Sequence, residues 1–373
     1  GGLAWMTAHM LSAGAKGLTQ VEIAQDLAQS GARFDIQVSR QVAVFSLDSL
    51  IEPANLQVAT AVFASVLGSP TFPEKLFAVR QRRHIASLKL RYEQPAQLAY
   101  DLLYQNLYPH SQYGWPIAGT IHSVAKLQLN QIKQFYNQYY VARNMNLVLV
   151  GDINNEEAHA IAQQLSAVVP MGQLASLPKL PALQHNRVRK MINRTHHAAQ
   201  AVIVVGTHAL PVADSDYLAS LLAAEILGGQ NSRLYQIVRA QNGLVYRISA
   251  HAHSGMLPGI FTIFAETSAQ NTDQALATIR PAVAEVCQQG PSPSELHIAK
   301  QVILGHLLLQ VASNQGVATR LVWLAENHLP VDYFAHFGQQ LKQVTAKQVK
   351  NVLDRLMYQQ YKVVVVVGVA NSI

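Results

Sequence analysis

Cysteine is nearly missing from this chain: Cys287 is the only one in 373 residues. No internal disulfide can form, and cysteine usage leaves the redox compartment open. Cys287 reads as a buried small apolar residue rather than a nucleophile. Charge is also sparse, at 13% of residues, and the net +7 comes from scattered lysine and arginine rather than from a basic run. With no Lys/Arg cluster interleaved with aromatics, the composition argues against nucleic-acid binding. No apolar run reaches the roughly 20 residues that a membrane-spanning helix needs, and the stretch from Val363 to Val367 is strand-sized. A G-x-S-x-G elbow, a P-loop and a dinucleotide fingerprint are all lacking, since Gly228-Gly229 has no third glycine at the right offset. The chain begins Gly1-Gly2 with neither an initiator methionine nor a signal-peptide pattern, so further sequence carrying any targeting signal is expected upstream.

Apolar residues make up half of the chain, enough for two or more domains. A helix over about Leu3 to Leu11 ends near Ser12-Ala13-Gly14. Thr19-Gln20-Val21-Glu22 has capping-box spacing and opens a helix that stops at Gly31. Phe34 to Asp48 alternates apolar and polar residues with a break near Ser39-Arg40, which predicts a hairpin. Helical patterns follow over 54–67, 74–91, 95–107 and 128–139, with a loop dense in Pro, Gly and aromatics around Pro109 to Pro116 and a strand at Asn146 to Val150. Between Val168 and Asn186 the prolines Pro170, Pro178 and Pro181 break all periodicity and predict a linker.

The second half repeats the theme. Strands are expected at Ala201 to Val205, 246–253 and 259–266, with helices over 214–227, past Gly228-Gly229, over 271–288 and from Ser292-Pro293. His196-His197 reads as a polar approach to the first of these strands. Both halves end alike: an aromatic-rich helix end runs into an apolar strand closed by Gly151 in one and Gly368 in the other. A duplicated unit of about 185 residues accounts for this. The expected architecture is α+β, with two homologous units that each carry a mixed, mostly antiparallel sheet packed with helices. The boundaries are 1–172 for the first unit, its opening strand expected upstream, 173–186 for the linker and 187–373 for the second unit.

The chemistry concentrates in two places. Gly2-Leu3-Ala4-Trp5-Met6-Thr7-Ala8-His9-Met10-Leu11 resembles the H-x-x-E-H helix of the pitrilysin/insulinase metallopeptidases, the inverted zinc-helix class. Trp5 stands at the first histidine, Ala8 at the glutamate, and His9 alone is retained. Two histidines at i and i+4 share one helix face and can share a metal, whereas a catalytic zinc needs three protein ligands. The family's third ligand, a glutamate on a later helix, would fall in the window His84-Ile85-Ala86-Ser87, which holds no carboxylate; Glu74 and Glu93 lie outside it. His84, on a helix rich in arginine, is expected to be solvated.

The likeness continues through Tyr108-Pro109-His110-Ser111-Gln112-Tyr113-Gly114-Trp115-Pro116, Gly119-Thr120, Phe135-Tyr136 and Asn144 to Asp152. Its most specific part is Asn231-Ser232-Arg233-Leu234 through Arg239 and Gly243-Leu244-Val245-Tyr246. This segment resembles the family's S-R-L-x-x-x-x-R-x-x-x-G-L-x-Y element. In the family the arginine and tyrosine of that element bind substrate backbone and the carbonyl oxygen at the zinc of the paired unit. A guanidinium fork and a phenol suit that task. From the residues alone, Arg239 reads as a solvated helix residue and Tyr246 as a core aromatic.

The resemblance implies the pitrilysin/insulinase-like, LuxS-like metalloenzyme fold and a chain without zinc of its own, with degenerate positions at Trp5, Ala8, His9 and Ala86. It implies a non-catalytic subunit that supplies Arg239 and Tyr246 to a peptide held at the zinc of a homologous partner; a homodimer is the other arrangement. Two alternatives remain: a structural or peptide-binding homologue, and a peptidase with an unconventional metal site at His9, His84 or the pair His251 and His253. His251 and His253 share a strand face but lack an evident third ligand, so a solvated face is expected there. The family also suggests a bacterial periplasmic compartment, which nothing else in the sequence addresses.

Overall fold

The computed structural model describes residues 1–176, 189–230, 232–359 and 362–368. Residues 177–186 of the expected linker, Asn231 of the Arg/Tyr element and residues 360–361 before the last strand lie outside the described residues. Two compact units are present: Gly1–Arg91 with Trp115–Lys179, and Tyr92–Gly114 with Leu180–Ile373. Residues 92–114, which the sequence division assigns to the first unit, thus belong with the second.

In the first unit, α1 (Leu3–Met10) leads into the short antiparallel pair β1 (Gly14–Ala15) and β2 (Leu18–Thr19). Thr19 then caps α2 (Gln20–Gln29): its hydroxyl accepts from the Glu22 N–H, and the Glu22 carboxylate accepts from the Thr19 N–H at 2.7 Å. The hairpin follows as β3 (Arg33–Val38) and β4 (Ala43–Asp48), and then α3 (Pro53–Gly68) and α4 (Glu74–Tyr92). After α5 (Pro95–Leu107), which the second unit takes, come α6 (Ile121–Ala125), α7 (Leu129–Tyr139) and α8 (Asn155–Ala167). Met6, Met10 and Leu11 pack against Val62, Phe63, Val66 and Leu67 of α3 and against Ile132 and Tyr136 of α7. Asn146–Val150 is not a strand. Among the described residues, the ladders of this unit are the two antiparallel pairs β1/β2 and β3/β4. An apolar segment becomes a strand only beside a partner that completes its ladder, and none of the described strands lies there.

The second unit holds a five-stranded mixed sheet in the order β5-β9-β6-β8-β7, built from β5 (Arg189–Thr195), β6 (Gln200–His208), β7 (Arg247–His253), β8 (Ile260–Ser268) and β9 (Lys362–Gly368). Among the described residues, only the β5/β9 pairing is parallel. β9 is an interior strand, paired with β5 on one side and β6 on the other, and its valines are buried on both faces. Val363, Val365 and Val367 join Ala99, Leu103 and Leu107 of α5, while Val364 joins Ile203, Phe261 and Ile263 beneath the opposite helices. Those helices are α9 (Tyr217–Gly228), α10 (Thr272–Gln289) and α14 (Ala346–Asp354), with α11 (Pro293–Gln310), α12 (Asn314–Glu326) and α13 (Tyr333–Gln343) further along the chain. Helix α5 approaches the sheet closely because residue 206 is glycine: a Cβ there would come within 2.5 Å of Leu103 Cδ1. The fold class is α+β, as the alternation of elements predicts.

Candidate functional site

Helix α1 presents Trp5 and His9 on one face, as an i,i+4 pair must. Their rings stack with centroids 3.7 Å apart and planes inclined by 18°. The other face of the indole is covered by His84 of α4, at 3.6 Å and 12°. Trp5 is therefore sandwiched between two imidazoles. His84 is 5% exposed, so the solvated side chain expected from its arginine-rich helix is instead buried; it lies on the inward stripe of α4 with Phe77 and Leu88.

Each imidazole is anchored by a backbone carbonyl, which can only accept. His9 Nδ1–H donates to Trp5 O at 2.9 Å, and His84 Nε2–H donates to Ala118 O at 2.7 Å. The second nitrogen of each neutral ring is then a bare acceptor. In His84 that atom, Nδ1, is buried without a hydrogen-bond partner. Burial lowers the pKa of both histidines. For His9 nearby Arg80 adds to this, while the Trp5 carbonyl and Asp35 oppose it. For His84 the charges of His9 and Arg91 add to it, and the Ala118 carbonyl opposes it.

As a zinc site this set does not fit. The indole occupies the space between the imidazoles, and Ala8, fully buried, brings no carboxylate. Ala86 is exposed on α4 and faces away from the stack. Among the described residues, no group of three or more His, Cys, Asp or Glu side chains is placed to hold a metal. The pair His251 and His253 lies on β7, an edge strand, with exposed side chains and ring centroids 5.8 Å apart.

The Arg/Tyr element forms a rigid brace in the second unit. Leu234 and Val238 are fully buried anchors of a π-helical turn, Tyr235–Gln241. Such turns are uncommon and recur at functional sites. Arg233 is tied down: its guanidinium donates to both carboxylate oxygens of Glu295, at 2.6 and 2.9 Å, and to Gly290 O at 3.2 Å. Gly243, with φ of 62°, supplies the left-handed residue that ends the turn. Thr267 Oγ1–H donates to Leu244 O at 2.6 Å, and the Tyr246 N–H donates to Glu266 O at 2.8 Å, so the chain is pinned on either side of buried Val245. What this brace leaves outside is the pair itself. Arg239 is exposed, its Cζ 5.2 Å from the centre of the Tyr235 ring, and Tyr246 is 55% exposed. Tyr246 is thus not the core aromatic that the residues alone suggest.

Sequence reasoning missed the plug made by Trp5. The signal available was an aromatic four residues before a histidine on a helix. What no local pattern shows is that α4 brings His84 to the other face of the ring.

The two units, the histidine-bearing helix α1 and the braced Arg/Tyr element together make a chain built like an M16-type peptidase. Residues 1–121 match the family model for insulinase, peptidase family M16, and residues 126–303 match the M16 inactive domain. This chain belongs to peptidase family M16. It is 24% identical over 320 residues to a Bacillus subtilis protein called zinc protease YmxG, covering 86% of this chain and 76% of that one. It is 22% identical to a Helicobacter pylori protein called non-peptidase homolog YmxG, covering 94% and 81%. Among solved structures, the M16 inactive domain protein of Pseudomonas fluorescens superposes with a TM-score of 0.92 at 29% identity, covering 99% of this chain and 89% of that one.

Proposed function

We propose that this chain is the zinc-deficient subunit of a heterodimeric metallopeptidase. Arg239 and Tyr246 reach a peptide held at the zinc of a homologous partner: the guanidinium fork takes backbone carbonyls, and the phenol donates to the oxygen on which charge develops. The observation that carries this reading is the contrast between the two sites. The histidine face of α1 is closed by an indole, whereas Arg239 and Tyr246 stand exposed on a braced turn. The match to the M16 inactive domain supports it too.

The test mixes purified chain with a family member bearing an intact H-x-x-E-H helix and measures hydrolysis of a quenched-fluorescent peptide. Activity should need both chains. Tyr246→Phe should lower it by about a hundredfold, the loss expected when a donor to a developing oxyanion is removed, and Arg239→Ala should lower it strongly through lost substrate binding. Undiminished activity with Arg239→Ala sinks the proposed role. A second reading, a peptide-binding or structural homologue without a part in proteolysis, draws support from the likeness to a protein named a non-peptidase homologue. It predicts a stable complex whose activity is indifferent to loss of both side chains.

A further inference from the structure

Helix α4 turns Phe77, His84 and Leu88 inward. Its outer face is unusual for what it lacks. Across Glu74–Tyr92 the helix carries Lys75, Arg80, Arg82, Arg83, Lys89 and Arg91 against a single carboxylate, Glu74 at its first residue. Lys75, Arg82, Arg83 and Lys89 are exposed, and none of the four forms an ion pair among the described residues. Exposed helices usually offset such charges with acids three or four residues away. Here Arg80 and Arg83 form a like-charged i,i+3 pair instead, and Arg83 lowers the pKa of Arg80 alongside the larger effect of burial.

The cations have a regular layout. Lys75, Arg82 and Lys89 are spaced seven apart, so they form one row along the helix with intervals of about 10.5 Å. Between them on the exposed side lie Ala78, Ala86 and Ser87, small enough for another helix to approach, and next to Lys89 stands Leu90, 71% exposed. Heptad-spaced charge beside small residues and one apolar contact is the layout by which helices select helices. A membrane surface would demand a free apolar face, yet that of α4 is already buried. A single-stranded nucleic acid would call for aromatic platforms among the cations, and this face has none.

We propose that the outer face of α4 docks an acidic α-helix of a partner protein, whose carboxylates at heptad spacing meet Lys75, Arg82 and Lys89 while Leu90 seats in an apolar notch. The test uses the full chain and two synthetic helical peptides of identical composition. One has three glutamates seven residues apart, and the other has them five apart; binding is read by fluorescence anisotropy. The chain should bind the heptad peptide about fivefold tighter or more, with affinity falling as NaCl is raised. The triple variant K75E/R82E/K89E, with an unchanged thermal melt, should lose about tenfold or more and should bind a lysine version of the heptad peptide in its place. Should that variant not fold, the comparison of the two peptides on the unaltered chain decides alone. Equal affinity for both peptides, no binding, or tighter binding to phosphatidylglycerol vesicles or single-stranded DNA overturns the proposal.

Discussion

The indole of Trp5 and the imidazole of His84 lie 3.6 Å apart and within 12° of parallel, with His9 on the far side of the same indole. A residue on one helix and a residue on another are thereby locked into one three-ring stack. Removing the indole should be costly. Trp5→Ala should lower unfolding free energy by about 3 kcal/mol through lost stacking and the gap left between two rings. Urea denaturation of the variant measures it, and a change below about 1 kcal/mol would show that the stack is not tightly packed.

The same stack sets a pH dependence. His9 and His84 both have pKa values lowered by burial. With the folded pKa below the unfolded one, the unfolded state binds more protons, so stability rises with pH. The full contribution is present above the unfolded value of about 6.5 and is lost as pH falls through the lower folded values. Urea midpoints should drop between pH 8 and pH 5, and the drop should be smaller in His84→Leu. An identical slope in that variant would remove His84 as its source.

Glu295 carries two duties: it pairs with Arg233, and it closes the capping box of α11 by accepting from the Ser292 N–H at 2.7 Å. The Arg233 guanidinium, helped by the Ser292 bonds, holds its pKa down at about 2. Its contribution is therefore present above the ordinary glutamate range and is lost as pH falls toward 2. Glu295→Ala should cost about 1–2 kcal/mol at neutral pH, read by thermal or urea melts.

The contact between α5 and the sheet can be tested by a double-mutant cycle. Gly206→Ala places a methyl against Leu103 and should destabilise, and Leu103→Ala alone should cost about 2–5 kcal/mol. The double variant should be less destabilised than the sum, because each change relieves the other. Strict additivity would mean that the helix shifts freely.

Arg239→Ala and Tyr246→Phe should leave stability within about 0.5 kcal/mol, since both side chains are exposed. That neutrality separates a substrate-contacting role from a structural one when activity is measured with a zinc-bearing partner.

Periodicity and capping residues made much of the architecture legible: α2 with its Thr19 box, the β3/β4 hairpin, α3, α4, α5 and the valine-rich β9 all follow from local pattern. What was not legible depends on partners distant in sequence. Asn146 to Val150 looks like a strand, yet a strand exists only with a neighbour. Conversely, Arg189–Thr195 is too polar to read as one but pairs in parallel with β9. Short α6 and polar α8 escaped for lack of an apolar stripe. In the site, the Arg239 and Tyr246 spacing was readable, whereas the burial of His84 required knowing what packs on α4.

The place of β9 in the sheet has a consequence for the order of events on the ribosome. It joins the sheet between β5 and β6, which precede it by more than 150 residues of chain. Until it emerges, those two strands have nothing between them and both keep open edges. The sheet of the second unit is thus obliged to wait for β9 before it can close, and a holding chaperone would find its target in those waiting edges.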